Sequence, residues 1–246
     1  MPFAPGTFRH VPALEGRVRA PEDSDFRLSY ARFDELDKQA KAEGWPDGWR
    51  MDHGAREENR HTVLNGRMTR DLWIFAYGSL IWDPAVHADE FRLATLDGWH
   101  RSFCMHLTGG RGSQRSPGLM AVLDKGGICH GIALRIPAAL VDAETEKLWM
   151  REMFSGTYIP SFLKVTTPQG DLEALAFVIN HESDRYDPGL DPAEAARRIA
   201  RATGRMGENF DYLDSMARHL ADLGIDDPDI GRLHRLASAE RAAAET

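Results

Sequence analysis

Cysteine is nearly absent from this chain. Its 246 residues hold two, Cys104 and Cys129, too few for a disulfide framework and without a C-x-x-C pair. They read as buried thiols of a reducing compartment. No apolar run reaches the ~18 residues of a membrane span. The opening MPFAPGTFRHVPALEG lacks the charged start and apolar core of a secretory signal, so the expected location is the cytoplasm. An excess of positive charge is missing too. Thirty Lys and Arg stand against 38 Asp and Glu, a formal net charge of -8, which argues against a nucleic-acid partner, whose backbone needs a basic surface. The ten histidines show neither H-x-x-x-H nor H-E-x-x-H spacing, so no metal or other cofactor is expected. Cys104 and His106 alternate with apolar neighbours, as in a strand.

What is present is ordinary globular material. Hydrophobic residues make up 42% and charged residues 28%, enough for a substantial core in one large domain or a domain with an appendage. Residues 1–28 mix Pro, Gly, Arg and acids without period. From Ser29 the spacing predicts a helix, capped by Ser29, striped by Tyr30, Phe33, Leu36 and Ala40, and ended by Gly44. Residues 45–70 are polar and Gly-punctuated. Residues 1–70 are therefore expected to form a partly helical N-terminal extension that packs on the main body or on a neighbouring subunit, with residues 71–246 as the main domain. There LWIFAY, GLMAVL, ICHGIALRI and LEALAFVI read as strands, and FRLATLDGWHRSFCMHL as a strand region broken at Asp97-Gly98. One helix, AALVDAETEKLWMREM, lies between strands. DPAEAARRIARATG and GENFDYLDSMARHLADLG form two more at the end, each stopped by Gly. Strands first and helices last argue for an α+β fold with a mainly antiparallel sheet or small barrel.

Three stretches carry candidate chemistry. In DLWIFAYGSLIWDP the strand breaks at Gly78-Ser79. A nucleophile elbow needs G-x-S-x-G, and the second glycine is missing. The turn can instead bring backbone N–H groups close to a ligand, or it is only a strand-ending turn. In the second stretch, Glu152 shares a helix face with Trp149, Leu148, Thr145 and Val141. An inward carboxylate is desolvated, which raises its pKa. The nearby helix C-terminus opposes its charge as well, and both effects move it toward the range a general base wants. The alternative is an ion pair with Arg151 or another base, or fraying outward. The third stretch, RGSQRSPG, sets two arginines in a loop able to clamp an anion but lacks the P-loop pattern, and reads equally as a solvated loop.

FAYGSLIWDP, then GWHRSFCMHLTGGRGSQRSPGLMAVLDKGGICHGIALRI, then LWMREMFSGTYIP, and finally GRMGENFDYLDSMARHLADLGI together resemble the ChaC-type γ-glutamylcyclotransferases, from about Trp73 to about Leu236. The resemblance implies an α+β fold around a small, partly closed, mainly antiparallel β-barrel with flanking helices. It implies cleavage of glutathione, or another γ-glutamyl compound, to 5-oxoproline and the released amine, without metal or cofactor. It implies that the loop Tyr77, Gly78, Ser79, Leu80 and Ile81 cradles the γ-glutamyl group through its backbone, and that Glu152 is the catalytic acid and base. The family usually follows that Glu with Gly-Gly-Tyr, where this chain has Met153-Phe154-Ser155-Gly156-Thr157-Tyr158. Given that chemistry, Tyr158 and Tyr212 are candidates for orienting a small-molecule substrate, and Arg101 or Arg115 for pairing with its carboxylate. Two rivals predict other outcomes. A non-catalytic barrel would bind a small carboxylate or a protein partner without turnover, and a serine hydrolase would use Ser79.

Overall fold

LWIFA is apolar throughout, as suits a strand buried on both faces, and it forms β1 (Leu72–Ala76) of a closed five-stranded barrel. The structure, a computed structural model, describes residues 3–45 and 47–244. β2 (Glu90–Leu107), β3 (Gly118–Ile136), β4 (Tyr158–Thr167) and β5 (Gly170–Ile179) complete the barrel in the order β1-β3-β2-β4-β5. β1 runs antiparallel to β3, with Leu72 opposite Ile136 and Ala76 opposite Ile132. β4 and β5 form an antiparallel hairpin from Tyr158–Ile179 to Thr167–Gly170. β5 also lies parallel to β1, with Ile74 opposite Leu175. That parallel seam makes the barrel mixed and closes it fully, where a partly closed one was expected. A closed barrel leaves no strand edge with unpaired N–H and C=O groups.

Two compact units make up the chain: Met1–Ala94 with Ile132–Asn180, and Thr95–Gly131 with His181–Thr246. β2 and β3 contribute to both. They are longer than the sequence suggests, because the glycines expected to break them are absorbed into the strands. Gly98 (φ 80°) lies within β2, and Gly126 (φ 105°) and Gly127 (φ 69°) lie within β3. β4, not foreseen, contains Pro160, a residue that weakens any strand signal.

In the first unit α1 (Tyr30–Ala42) follows its expected signals. The Ser29 hydroxyl accepts from the Arg32 N–H, Phe33 and Ala40 are buried, and Gly44 takes φ 71°. Tyr30, expected on the inner stripe, stays 40% exposed. α2 (His53–Val63) arises where only polar irregular chain was expected. Asp52 caps it, accepting from the N–H groups of Gly54 and Ala55, and its buried residues are Arg56 and Arg60. Arg60 donates to the Asp142 carboxylate at 2.9 Å and to the Thr145 hydroxyl at 3.0 Å. The Arg56 guanidinium lies over the Phe33 ring, 4.7 Å from its centroid. Asp142 and Thr145 sit on α3 (Val141–Glu152), the expected helix, preceded by a short 3-10 turn at Ala138–Leu140. On α3, Trp149 packs edge-on against Phe177 and donates its indole N–H to Asn59.

In the second unit α4 (Pro192–Arg201) and α5 (Asn209–Asp222) match expectation. A third helix, α6 (Pro228–Ala244), was not anticipated, because it buries only Ile230, Leu233 and Ala237 along 17 residues. At the start of α5 the buried Asn209 side chain bonds both the N–H (2.7 Å) and the carbonyl (2.8 Å) of Leu119, tying α5 to β3 and satisfying two main-chain groups that burial would otherwise penalise.

Candidate active site

Val141, Thr145, Leu148 and Trp149 are all buried, and Glu152, on the same face, continues that stripe at the last residue of α3. Its side chain keeps 14% exposure, so the carboxyl is enclosed yet not sealed. Burial lifts it above the ordinary carboxylate range, and the Arg151 guanidinium offsets only part of that lift. The inward orientation and the Arg151 pair, posed as alternatives from the sequence, therefore coexist: Arg151 Nε lies 2.9 Å from Glu152 Oε1.

Arg151 reaches further. Its Nη2 donates to Ser79 Oγ at 2.8 Å and its Nη1 to the Asp83 carbonyl oxygen. One guanidinium thus ties Glu152 to the Tyr77–Ile81 loop. Ser79 spends its hydroxyl as an acceptor from a cation, which argues against activation as a nucleophile, since that requires a neighbouring base. The loop is a single 3-10 turn, Ser79–Ile81. It is closed by bonds from Ile81 N to Gly78 O, from Trp82 N to Ser79 O and from Asp83 N to Ser79 O. Gly78, Ser79 and Leu80 precede the first closing bond, where a short helix offers its N–H groups no internal acceptor. Ile81, expected to contribute to the cradle, uses its N–H inside the turn and buries its side chain. Tyr77 turns its hydroxyl to the Phe177 carbonyl at 2.8 Å, holding the loop to β5.

A second carboxylate on α3 shows how different the Glu152 surroundings are. Glu144 is also buried, but it takes two bonds from Arg27 (2.6 and 2.9 Å), one from the His87 N–H (3.0 Å) and one from His87 Nδ1 (2.8 Å). Burial pushes its pKa up, and those partners, Arg27 foremost, reverse the push and hold it below the ordinary value. Two carboxylates two turns apart are driven in opposite directions, the pattern that separates an acid–base group from a structural anion.

Tyr158 is buried at the start of β4, opposite Ile179, in the same unit as Glu152. Arg101, Arg115 and Tyr212 belong to the second unit. There Arg101 is buried, pairs with Asp227 at 2.7 Å and donates to the His130 carbonyl, so its guanidinium is committed within that unit. Arg115 is exposed in a loop. Its companion in the RGSQRSPG stretch, Arg111, donates to the Glu208 carbonyl at 2.8 Å. Tyr212 is buried beside Phe103, with ring centroids 5.8 Å apart. Cys104 and Cys129 are buried free thiols, both pushed up to about 11 by burial. Among the described residues no cluster of His, Cys, Asp or Glu has the makings of a metal site, and no helix is long and apolar enough to cross a membrane. Sequence reasoning missed the linking role of Arg151 and the burial of Asp83, whose only readable signal was adjacency to the two motifs.

The solved structure of a yeast γ-glutamylcyclotransferase specific to glutathione matches with a TM-score of 0.65 at 20% identity, covering 71% of this chain and 98% of that one. The barrel is thus of the γ-glutamylcyclotransferase type. At the level of sequence, the glutathione-specific γ-glutamylcyclotransferase of Escherichia coli K12 is 38% identical over 175 residues, 71% of this chain and 75% of that protein. The counterpart in Schizosaccharomyces pombe is 32% identical over 179 residues, 65% of this chain and 87% of that protein. The model of the family described as ChaC-like protein matches residues 72–240, and the chain belongs to that family.

Proposed function

We propose that this chain is a γ-glutamylcyclotransferase that cleaves glutathione, or a related γ-glutamyl amine, to 5-oxoproline and the released amine, Cys-Gly in the case of glutathione. The observation that carries the reading is Glu152, turned inward, lifted in pKa and tethered through Arg151 to the Ser79 loop. The names of the relatives support the substrate.

The substrate supplies its own nucleophile. Its α-amine attacks the γ-carbonyl carbon, a C–N bond forms and closes a five-membered lactam, and the amide bond to the leaving amine breaks. Glu152 takes a proton from the α-ammonium before attack and returns one to the departing nitrogen, work for which a carboxyl with a raised pKa is suited and which is worth roughly 10²–10⁴ in rate. Backbone N–H groups at Gly78, Ser79 and Leu80 hold the γ-glutamyl unit and donate to the developing oxyanion. Fixing the ring-closing conformer contributes several kcal/mol more. Residues 71–246 serve as the catalytic domain in this reading and residues 1–70 as an N-terminal extension, supported by a family match that begins at residue 72. A cytoplasmic setting belongs to the same reading, supported by two buried free thiols.

Pure protein incubated with glutathione yields 5-oxoproline and Cys-Gly. No product from glutathione or from any γ-glutamyl dipeptide would refute the proposal. Ser79→Ala is expected to keep turnover within about a hundredfold of the parent and above that of Glu152→Gln, because it loses one hydrogen bond to the Arg151 guanidinium, worth about 1.5–3 kcal/mol, and no backbone donor. If kcat of Ser79→Ala fell as far as that of Glu152→Gln, the cradle would not be a backbone one.

A further inference from the structure

The three nitrogens of the Arg151 guanidinium point in its plane to Glu152, Ser79 and the Asp83 carbonyl. The guanidinium carbon lies over the Phe26 ring, 4.6 Å from its centroid. Phe26 belongs to the N-terminal extension, outside the stretch that the ChaC-like family shares. From this geometry we infer that Phe26 is a positioning residue for the reaction: it holds the Arg151 guanidinium in the one plane that reaches the base and the loop together.

The chain around Phe26 is fastened on both sides. Its N–H donates to Ser24 Oγ at 3.1 Å. On one side Arg19 N donates to the Trp82 carbonyl at 2.8 Å, and Arg19 Nη1 stands 3.5 Å from Asp83 Oδ2 and 3.6 Å from Asp25 Oδ2. On the other, Arg27 donates to the Ala85 carbonyl at 2.8 Å and grips Glu144. Residues 19–27 therefore bracket the segment that follows the loop and set Phe26 between the two anchors.

A cation over an aromatic face gains about 0.5–2 kcal/mol depending on desolvation, and the Arg151 side chain keeps only 7% exposure. The contact also restricts rotation of the guanidinium out of its plane, which a hydrogen-bonding fork does not tolerate. Glu152 feels the result directly. Arg151 is the cation that offsets its burial, and Asp83, whose carbonyl accepts from Arg151, faces Arg19 with its carboxylate at 3.5 Å. A loosened Arg151 lets the Glu152 pKa climb further and lets the loop drift from the base.

The inference rests on the γ-glutamylcyclotransferase reading for its kinetic arm and on the Phe26–Arg151–Glu152 geometry alone for its titration arm. Phe26→Leu keeps apolar bulk and removes the π face, while Phe26→Tyr keeps both. For glutathione, Phe26→Leu is expected to lower kcat about fivefold, a size consistent with one cation–π contact, with KM within about twofold. The acid limb of kcat/KM moves to higher pH, and Phe26→Tyr restores the parent values. The Glu152 carboxyl, followed by 13C NMR, titrates at higher pH in Phe26→Leu and at the parent value in Phe26→Tyr, whether or not substrate turns over. A Phe26→Leu protein with parental kcat and an unmoved Glu152 titration would overturn the inference. So would a Phe26→Tyr protein as impaired as Phe26→Leu, since simple packing loss would then explain both. Parent protein inert toward every γ-glutamyl compound would instead strike the functional reading, with the NMR titration still deciding the place of Phe26.

Discussion

Glu152→Gln is expected to abolish turnover of glutathione and to leave a protein at least as stable as the parent at pH 8. The activity loss is expected at roughly 10²–10⁴ or more, the contribution of a positioned acid–base group, because an amide neither accepts the α-ammonium proton nor returns one to the leaving amine. The stability follows from linkage. Burial raises the carboxyl pKa in the folded state above its unfolded value, so the folded state favours the protonated form. Below the ordinary carboxylate range both states carry the proton and the group is neutral in effect. As pH rises through that range the unfolded chain ionises first, and the native state loses relative stability until its own pKa is passed. Gln mimics the protonated form and escapes that loss. Unfolding midpoints measured for both proteins should coincide near pH 4 and diverge in favour of Glu152→Gln toward pH 8. A variant that lost stability relative to the parent as pH rose would contradict the direction assigned to Glu152.

Glu144→Ala is expected to be the most destabilising of the carboxylate substitutions, at about 3–5 kcal/mol, the cost of removing one member of a buried ion pair. It deprives the Arg27 guanidinium of its bidentate partner and the His87 N–H of its acceptor. Arg27 keeps 21% side-chain exposure, so water recovers part of its hydration and the lower end of that range applies. The pH dependence has the opposite sense to that of Glu152. The folded pKa of Glu144 lies below its unfolded value, so its stabilisation is in force above the ordinary carboxylate range and fades as pH falls through the folded pKa. Denaturant titrations at pH 7 and pH 4 should show the gap between parent and variant narrowing at the lower pH. A gap under about 1 kcal/mol at pH 7 would place the pair among the weakly contributing surface bridges.

Much of this candidate site is legible in the sequence. The helical spacing from Val141 to Glu152 dictates which way the carboxyl faces, because side chains three and four apart share a face wherever the helix sits. The missing glycine after Ser79 already argued against an elbow, and Arg151 now occupies its hydroxyl. The elements that escaped did so for physical reasons. α2 buries Arg56 and Arg60 where a periodic helix buries leucines, so a search for an apolar stripe passes over it, although the Asp52 cap was there to be read. β2 and β3 run through glycines that elsewhere would end a strand. The Phe26–Arg151 contact joins residues 125 positions apart in chain order, and nothing local in either segment announces the other.

Carrying both carboxylates on α3 has a consequence for how this protein meets acid. As pH falls, the proton goes first to Glu152, whose affinity for it burial has raised, and only later to Glu144, whose affinity Arg27 and His87 have lowered. In the proposed role of Glu152, turnover is therefore expected to stop at a pH where the Arg27–Glu144 brace is still charged. Acidification into that window is expected to silence the site in a folded molecule, with activity returning at neutral pH without refolding.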